Sequence, residues 1–304
     1  MNQPSIIGFG SLSQAERKPW YVRPCATYPT LANATHRANF PGGRLGWTQN
    51  FRYFGSDATT RYQSLQVKYD KRFSHGLQIS SHFTYSKAID YDNTYFPRDA
   101  DVAQGLSNAS RPKAFFLSAN YDLPFGKGKT FGSNWSKPLD TILGGWQTNY
   151  IWQWFSGLPL TPSYQNCNGD QDVGICRPNV VGDSKVADQT QFQWFQTVSS
   201  PFTQNGQTSG AWQRPLRGQL GNSGRNWFMF GPQFQQLDLS MFKNFSITEK
   251  YKLQFRAESF NFANHTNLNN PDTCVDCPGR AGRILAVFPG HSPRLWQFAL
   301  RVDF

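Results

Sequence analysis

The carboxy-terminal nine residues constrain the fold most. Trp296-Gln-Phe-Ala-Leu-Arg-Val-Asp-Phe304 alternates apolar and polar without a break. Successive side chains of a β-strand point to opposite faces, so Trp296, Phe298, Leu300, Val302 and Phe304 share one face. Gln297, Ala299, Arg301 and Asp303 share the other. Two architectures accept such a strand: an outer-membrane barrel closing on an aromatic carboxy-terminus, or the last strand of a soluble β-sandwich. These residues alone do not decide between them.

The same pattern recurs upstream. Leu65, Val67, Tyr69 and Phe73 alternate with Gln66, Lys68, Asp70 and Arg72, and after His75-Gly76 the pattern resumes in Leu77, Ile79, Phe83 and Tyr85. Phe115, Leu117, Ala119, Tyr121 and Leu123 form a further apolar face. Trp146, Thr148, Tyr150, Trp152 and Trp154 form a strongly aromatic one that a lipid-facing stripe would use, with Ile151 breaking the alternation. Leu237, Leu239 and Met241 follow, then Tyr251, Leu253, Phe255 and Ala257. Period-two alternation of this kind predicts strands. Seven are clear, and 45–54 is a candidate eighth in which Gln49 spoils strict alternation.

Connections broadly alternate in length. His75-Gly76 and Thr248-Glu249-Lys250 are tight, whereas 90–112, 163–232 and 263–293 are long, and 126–141 is an intermediate exception. Bacterial outer-membrane barrels have short periplasmic turns and longer outer loops. The polar strand faces carry charge, as in Lys252, Arg256 and Glu258. Such a face suits a water-filled lumen or the outside of a sandwich, not a packed interior. A connection as long as 163–232 is uncommon in a compact domain and tolerable as a ligand-contacting outer loop.

Composition agrees with a membrane barrel. Hydrophobic residues are 38% of 304, yet 26 Phe, 12 Tyr and 10 Trp are present. Half of each barrel strand is polar and aromatic girdles mark both interfaces. No stretch approaches the roughly 20 apolar residues of a transmembrane helix. The net charge of +11 is scattered without a Lys/Arg run, which argues against nucleic acid and fits anionic headgroups or acidic solutes. The first residues, Met1-Asn-Gln-Pro-Ser-Ile-Ile-Gly-Phe-Gly10, lack a basic region followed by an apolar one, so no secretory signal is read there.

Cysteine placement suggests two local disulfides in an oxidising compartment, Cys167 with Cys176 and Cys274 with Cys277, leaving Cys25 over. Cys274-Val-Asp-Cys277 lacks the βαβ setting of a redox motif, and only His265 and His291 lie near enough in sequence to complete a zinc site. Asn168-Gly-Asp170-Gln-Asp172-Val-Gly174 resembles a calcium loop but has Asn179 where a bidentate acid belongs. No catalytic constellation and no cofactor motif appear. The five histidines are dispersed, and Gly126-Lys-Gly128-Lys129 opens no helix of the kind a phosphate loop needs.

Several ordered stretches carry a resemblance. They are Tyr62-Gln-Ser-Leu-Gln-Val-Lys-Tyr-Asp-Lys-Arg-Phe-Ser74, Thr84-Tyr-Ser-Lys87, Tyr121-Asp-Leu-Pro-Phe-Gly-Lys-Gly-Lys129, Gly144-Gly-Trp-Gln147, Ser156-Gly-Leu-Pro159, Cys176-Arg-Pro-Asn179 and the run from Leu237 to His265. Together, over 45–304, they resemble the carboxy-terminal barrel of TonB-dependent outer-membrane receptors. The closest subgroup is the Oar-like type, abundant in acidobacteria, whose chains carry a carboxypeptidase-regulatory-like domain ahead of the plug.

The resemblance implies an all-β, antiparallel up-and-down transmembrane segment, seven to eight strands of a barrel of about 22 with a plugged lumen. It implies non-catalytic uptake of a siderophore, oligosaccharide or peptide, with the solute contacting the outer loops. The partners it implies are outer-membrane lipid, the barrel-assembly machinery reading Phe304 and its strand, and TonB acting through a plug. No plug, TonB-contact segment or regulatory-like domain is legible in these residues, so the expectation is a carboxy-terminal fragment with 1–44 a loop or partial-strand remnant. The alternatives are a self-contained eight-stranded barrel acting as adhesin or anchor, and a soluble carbohydrate-binding β-sandwich.

Overall fold

The computed structural model describes residues 59–91, 103–165, 176–216, 219–227, 229–248 and 250–304. Seven long strands form one antiparallel sheet: β1 (Arg61–Ser74), β2 (Leu77–Tyr91), β3 (Lys113–Asp122), β4 (Trp146–Phe155), β5 (Phe234–Ser246), β6 (Lys252–Phe260) and β7 (Leu295–Asp303). They pair in sequence order with no crossover. A three-residue strand, Gln104–Leu106, pairs with β2 beside this path. The segments 1–44 and 45–54, the latter the candidate eighth strand, lie outside the described residues.

Register confirms the two-faced pattern strand by strand. Val67 lies opposite Phe83, Phe83 opposite Phe115, and Phe115 opposite Trp154. Trp152 lies opposite Leu237, Leu253 opposite Val302, and Phe255 opposite Leu300. A one-residue slip would send each apolar set to the other face, so the agreement across six pairings fixes a continuous apolar surface. Ile151 breaks the sequence pattern because it sits on the polar face, opposite Ser118 and Asp238. The soluble sandwich is therefore set aside: all seven long strands belong to one sheet, and the only other sheets among the described residues are two- and three-stranded pairings of two-residue strands in the connections, too small to form a second layer over the apolar face.

Turns of different build close one end of the sheet. His75 and Gly76 have φ of 53° and 77°, the two positive values of a two-residue hairpin whose twist matches its strands. The connection after β5 is longer than the tight turn expected at 248–250. It spans 247–251, closed by the Ile247 amide donating to the Tyr251 carbonyl at 3.0 Å. Between β3 and β4 stands helix α1 (Lys137–Leu143), with Pro138 in its first turn, where proline's missing N–H is harmless.

The opposite end holds the hydrophobic core. Tyr164, Phe195, Val198, Phe202, Ala211, Trp212 and Val275 are buried together, and all come from the connections 156–233 and 261–294. The sequence reads 163–232 as a polar segment. The structure corrects this, because few apolar residues suffice when two connections contribute to one cluster. Trp212 is fully buried, its indole N–H donating to the Gln196 carbonyl at 2.5 Å. Short pairings stiffen the unit: Pro159–Leu160 with Met229–Phe230, and Trp212–Gln213 between Asn179–Val180 and Thr208–Ser209.

Candidate functional site at the loop end of the sheet

Cys274-Val-Asp-Cys277 forms the centre of the loop unit. The Val275 amide donates to the Ser163 carbonyl at 2.8 Å, and its carbonyl accepts from the Val198 amide at 2.9 Å. The segment thus threads between both halves of the other connection. Asp276 is fully buried, one carboxylate oxygen accepting the Gln165 amide at 2.6 Å and the other the Phe202 amide at 3.0 Å. A buried carboxylate is stabilised by such charge-assisted bonds. Cys274 and Cys277 form a disulfide with Cα atoms 5.5 Å apart. Their sulfur atoms and the Asp276 carboxylate lie within 4.8 Å of one another, but sulfurs joined to each other are not free thiolate ligands. Cys176 is disulfide-bonded. Cys25, Cys167 and the calcium-like stretch 168–174 lie outside the described residues.

A second cluster ties this unit to the sheet. Arg225, with its side chain 4% exposed, donates to the Asp90 carboxylate at 2.7 Å and to the Asp90 carbonyl at 3.0 Å. It also reaches the Ala103 carbonyl at 3.4 Å and Asn108 Oδ1 at 3.3 Å. The side chain of Asn226 donates to the Leu106 carbonyl at 2.7 Å and to Asn108 Oδ1 at 2.6 Å. Gly105 runs against the Arg225 carbonyl so closely that a Cβ there would collide with it. Sequence reasoning missed Arg225, Asn226 and Asp276. Arg225 and Asp90 are 135 residues apart, and no local motif marks either.

On the polar face at the same end, Phe116 and Phe155 meet edge to face at 5.1 Å, Phe234 lies 5.7 Å from Phe155, and Phe288 closes over Phe234 at 5.4 Å. The Arg111 guanidinium sits 5.5 Å from the Phe155 ring and 5.6 Å from that of Phe288, donating to the Ser156 carbonyl at 2.8 Å. Burial pushes Arg111 below its ordinary pKa, because desolvation penalises the charged form. This platform presents apolar ring surface and one cation toward the space bounded by the polar face.

The sequence-selected residues divide between the two ends. Trp296, Phe298, Leu300, Val302 and Phe304 are all solvent-accessible on the apolar face, Phe304 at 89%. Trp146, Tyr150, Trp152 and Trp154 share that face, but its ends are covered. Trp146 lies at the turn end, its N–H donating to the Ile142 carbonyl of α1 at 2.9 Å. Trp154 lies beneath the loop unit, its N–H donating to Gln233 Oε1 at 3.0 Å. Lys243, also on the apolar face, is buried and donates to the carbonyls of Asp140 and Gly144. Carbonyls at a helix carboxy-terminus favour such a cation, and the Trp146 and Phe245 rings flank it at 5.9 and 5.1 Å.

One open sheet with an apolar and a charged face, two hairpin turns and the α1 connection at one end and a loop unit with its own core at the other, is the architecture of a membrane barrel wall. No curated protein and no solved structure matches the chain. A family model described as an outer membrane beta barrel domain matches residues 1–297, and the chain belongs to that family of outer-membrane β-barrel proteins.

Proposed function

We propose that the chain forms the carboxy-terminal part of the barrel of a TonB-dependent outer-membrane receptor, Oar-like and non-catalytic, that imports a siderophore, oligosaccharide or peptide. The observation that carries this reading is the open sheet. Among the described residues β1 and β7 do not pair with each other, and both run toward the turn end. In hydrocarbon every backbone N–H and C=O needs a partner, so neither edge can face lipid. Joining the edges directly would make a parallel pair. All-antiparallel closure therefore takes an odd number of further strands, which a larger even-numbered receptor barrel supplies.

In this reading the turn end is periplasmic and the loop end faces outward. The apolar face, including Tyr150, Trp152 and β7, meets lipid. The polar face lines the lumen, and the ring cluster around Arg111 meets incoming solute beneath the loops. Phe304 then lies at the periplasmic rim, where the barrel-assembly machinery engages it, and TonB acts through a plug supplied outside these strands.

The chain alone, reconstituted in liposomes with an energised TonB complex, is expected to give no uptake. Solute-specific, TonB-dependent uptake by this chain alone would overturn the reading. Parity also admits closure by one strand, the eight-stranded alternative. A heat-modifiable gel shift of the isolated chain would favour that instead.

A further inference from the structure

The loop unit overhangs the apolar face and leaves a cleft there. Lys113, Trp154 and Gln233 stand on the apolar-face register of β3, β4 and the approach to β5, while Gln189, Trp194 and Phe230 close it from above. The cleft encloses about 570 Å³. It shares Gln189, Trp194, Phe230 and Gly231 with an adjoining lobe of about 650 Å³ that Lys185 and Asp188 also line. Both volumes fall in the range of small-molecule sites.

Its position and chemistry select one occupant. The Trp194 N–H donates to the Phe230 carbonyl at 2.9 Å, and the Trp154 N–H is used by Gln233. Both indoles are thus held by their edges, and what they offer a ligand is apolar ring surface. Gln189 donates to the Trp194 carbonyl at 3.1 Å, which leaves its side-chain oxygen as an acceptor for hydroxyls. Lys113 has no carboxylate partner among the described residues, and the one acid lining either lobe is Asp188, beside Lys185. Ring surface, amide groups and a free ammonium suit a phosphorylated sugar. The apolar face continuing from Trp154 to Trp152 and Leu117 suits acyl chains attached to it.

We infer that this cleft binds the phosphorylated sugar headgroup of an outer-leaflet glycolipid, with the phosphate at Lys113 and the sugar against Trp154 and Trp194. The inference rests on the membrane orientation proposed above. The protein is thereby anchored at a fixed depth, with the loop unit seated on the leaflet rather than above it.

The test measures binding of fluorescent lipid A to the full chain in dodecylmaltoside micelles, competed by phosphatidylglycerol, phosphatidylcholine or soluble glucosamine 6-phosphate. Lipid A is expected to bind in preference to all three. Lys113→Gln and Lys185→Gln, both exposed, should each weaken it about fivefold, the usual worth of one basic residue at an anionic membrane surface. Trp154→Leu should weaken it further, and Lys252→Gln on the polar face should leave it unchanged. Equal competition by phosphatidylglycerol would show a generic anionic surface and overturn the inference. Full competition by glucosamine 6-phosphate would show a free-sugar site and overturn it too, as would unchanged binding by Lys113→Gln. Urea washing of the chain in phosphatidylcholine vesicles separates the two readings. A chain that stays inserted yet ignores lipid A loses only the cleft, whereas a chain that washes off loses the membrane reading.

Discussion

Replacing Arg225 by Met removes the cation that fastens the loop unit to the sheet while keeping most of the side chain's volume. Four acceptors lose a donor: Asp90 Oδ1, the Asp90 carbonyl, the Ala103 carbonyl and Asn108 Oδ1. Breaking a buried pair by removing one partner costs about 3–5 kcal/mol, since the other charge stays behind. Asp90 retains 27% side-chain exposure against 4% for Arg225, so water partly replaces the lost donor and the lower bound, about 3 kcal/mol, applies. The loss falls on local opening of the loop unit, because none of these contacts lies between long strands. Hydrogen exchange at the Ser107 amide, which donates to the Ala88 carbonyl at 2.9 Å, reads that opening directly. A penalty of about 3 kcal/mol predicts exchange about 150-fold faster at Ser107, with mid-sheet amides such as Ser118 unchanged. Arg225→Lys should fall between, since one ammonium cannot span the same acceptors. Exchange at Ser107 rising less than about threefold, on the scale of ordinary surface substitutions, would refute the clamp. Equal acceleration at Ser118 would refute the separation of loop unit from sheet.

Face assignment is tested by a matched pair on β7. Leu300→Arg should cost about 2–4 kcal/mol in urea unfolding from vesicles, while Ala299→Arg, one residue away on the polar face, should cost little. Similar costs at both positions would undo the assignment. Asp276→Asn keeps the shape but turns one acceptor into a donor facing an amide; a loss of about 1–3 kcal/mol should appear as faster proteolysis within 190–215, and unchanged cleavage would contradict the role given to Asp276. Lys243→Met should free α1 from the sheet, seen as faster exchange at the Gly144 amide, which now donates to the Asp140 carbonyl. No change there would mean that Lys243 does not hold the helix.

The strands were legible because membrane-wall strands have a strong period-two signal, and their register follows once every apolar set must share one face. Even Ile151, an apparent fault, obeys the period by taking the polar face. The loop unit was not legible for a complementary reason. Its core residues, such as Tyr164, Trp212 and Val275, are isolated apolar positions in polar surroundings with no period to expose them. Arg225 and Asp276 work through partners far away in the chain; nothing beside Arg225 signals a buried role, and the cysteines flanking Asp276 mark a disulfide loop without revealing the Gln165 and Phe202 amides its carboxylate accepts from. Lys243 shows the same limit within a strand: its place on the apolar face is readable, whereas the α1 carbonyls that satisfy it belong to a connection without a strand pattern.

The division of labour between core and sheet bears on function. The most deeply buried aromatic side chains, Trp212, Phe195 and Phe202, lie in the connections, whereas Leu65, Val67, Leu300 and Val302 on the strands remain open. In water such a surface would drive association. In a bilayer it needs no protein cover, and strand pairing satisfies the backbone. The loop unit has the opposite requirement, because it faces water and must bury its own core to hold a shape. That explains why the buried carboxylate, the Cys274–Cys277 disulfide and the Arg225 clamp all gather at one end of the sheet. Wall and loop unit are thus stabilised by separate means, the wall by strand pairing and lipid, the loop unit by a core of its own, so either can be perturbed without unfolding the other.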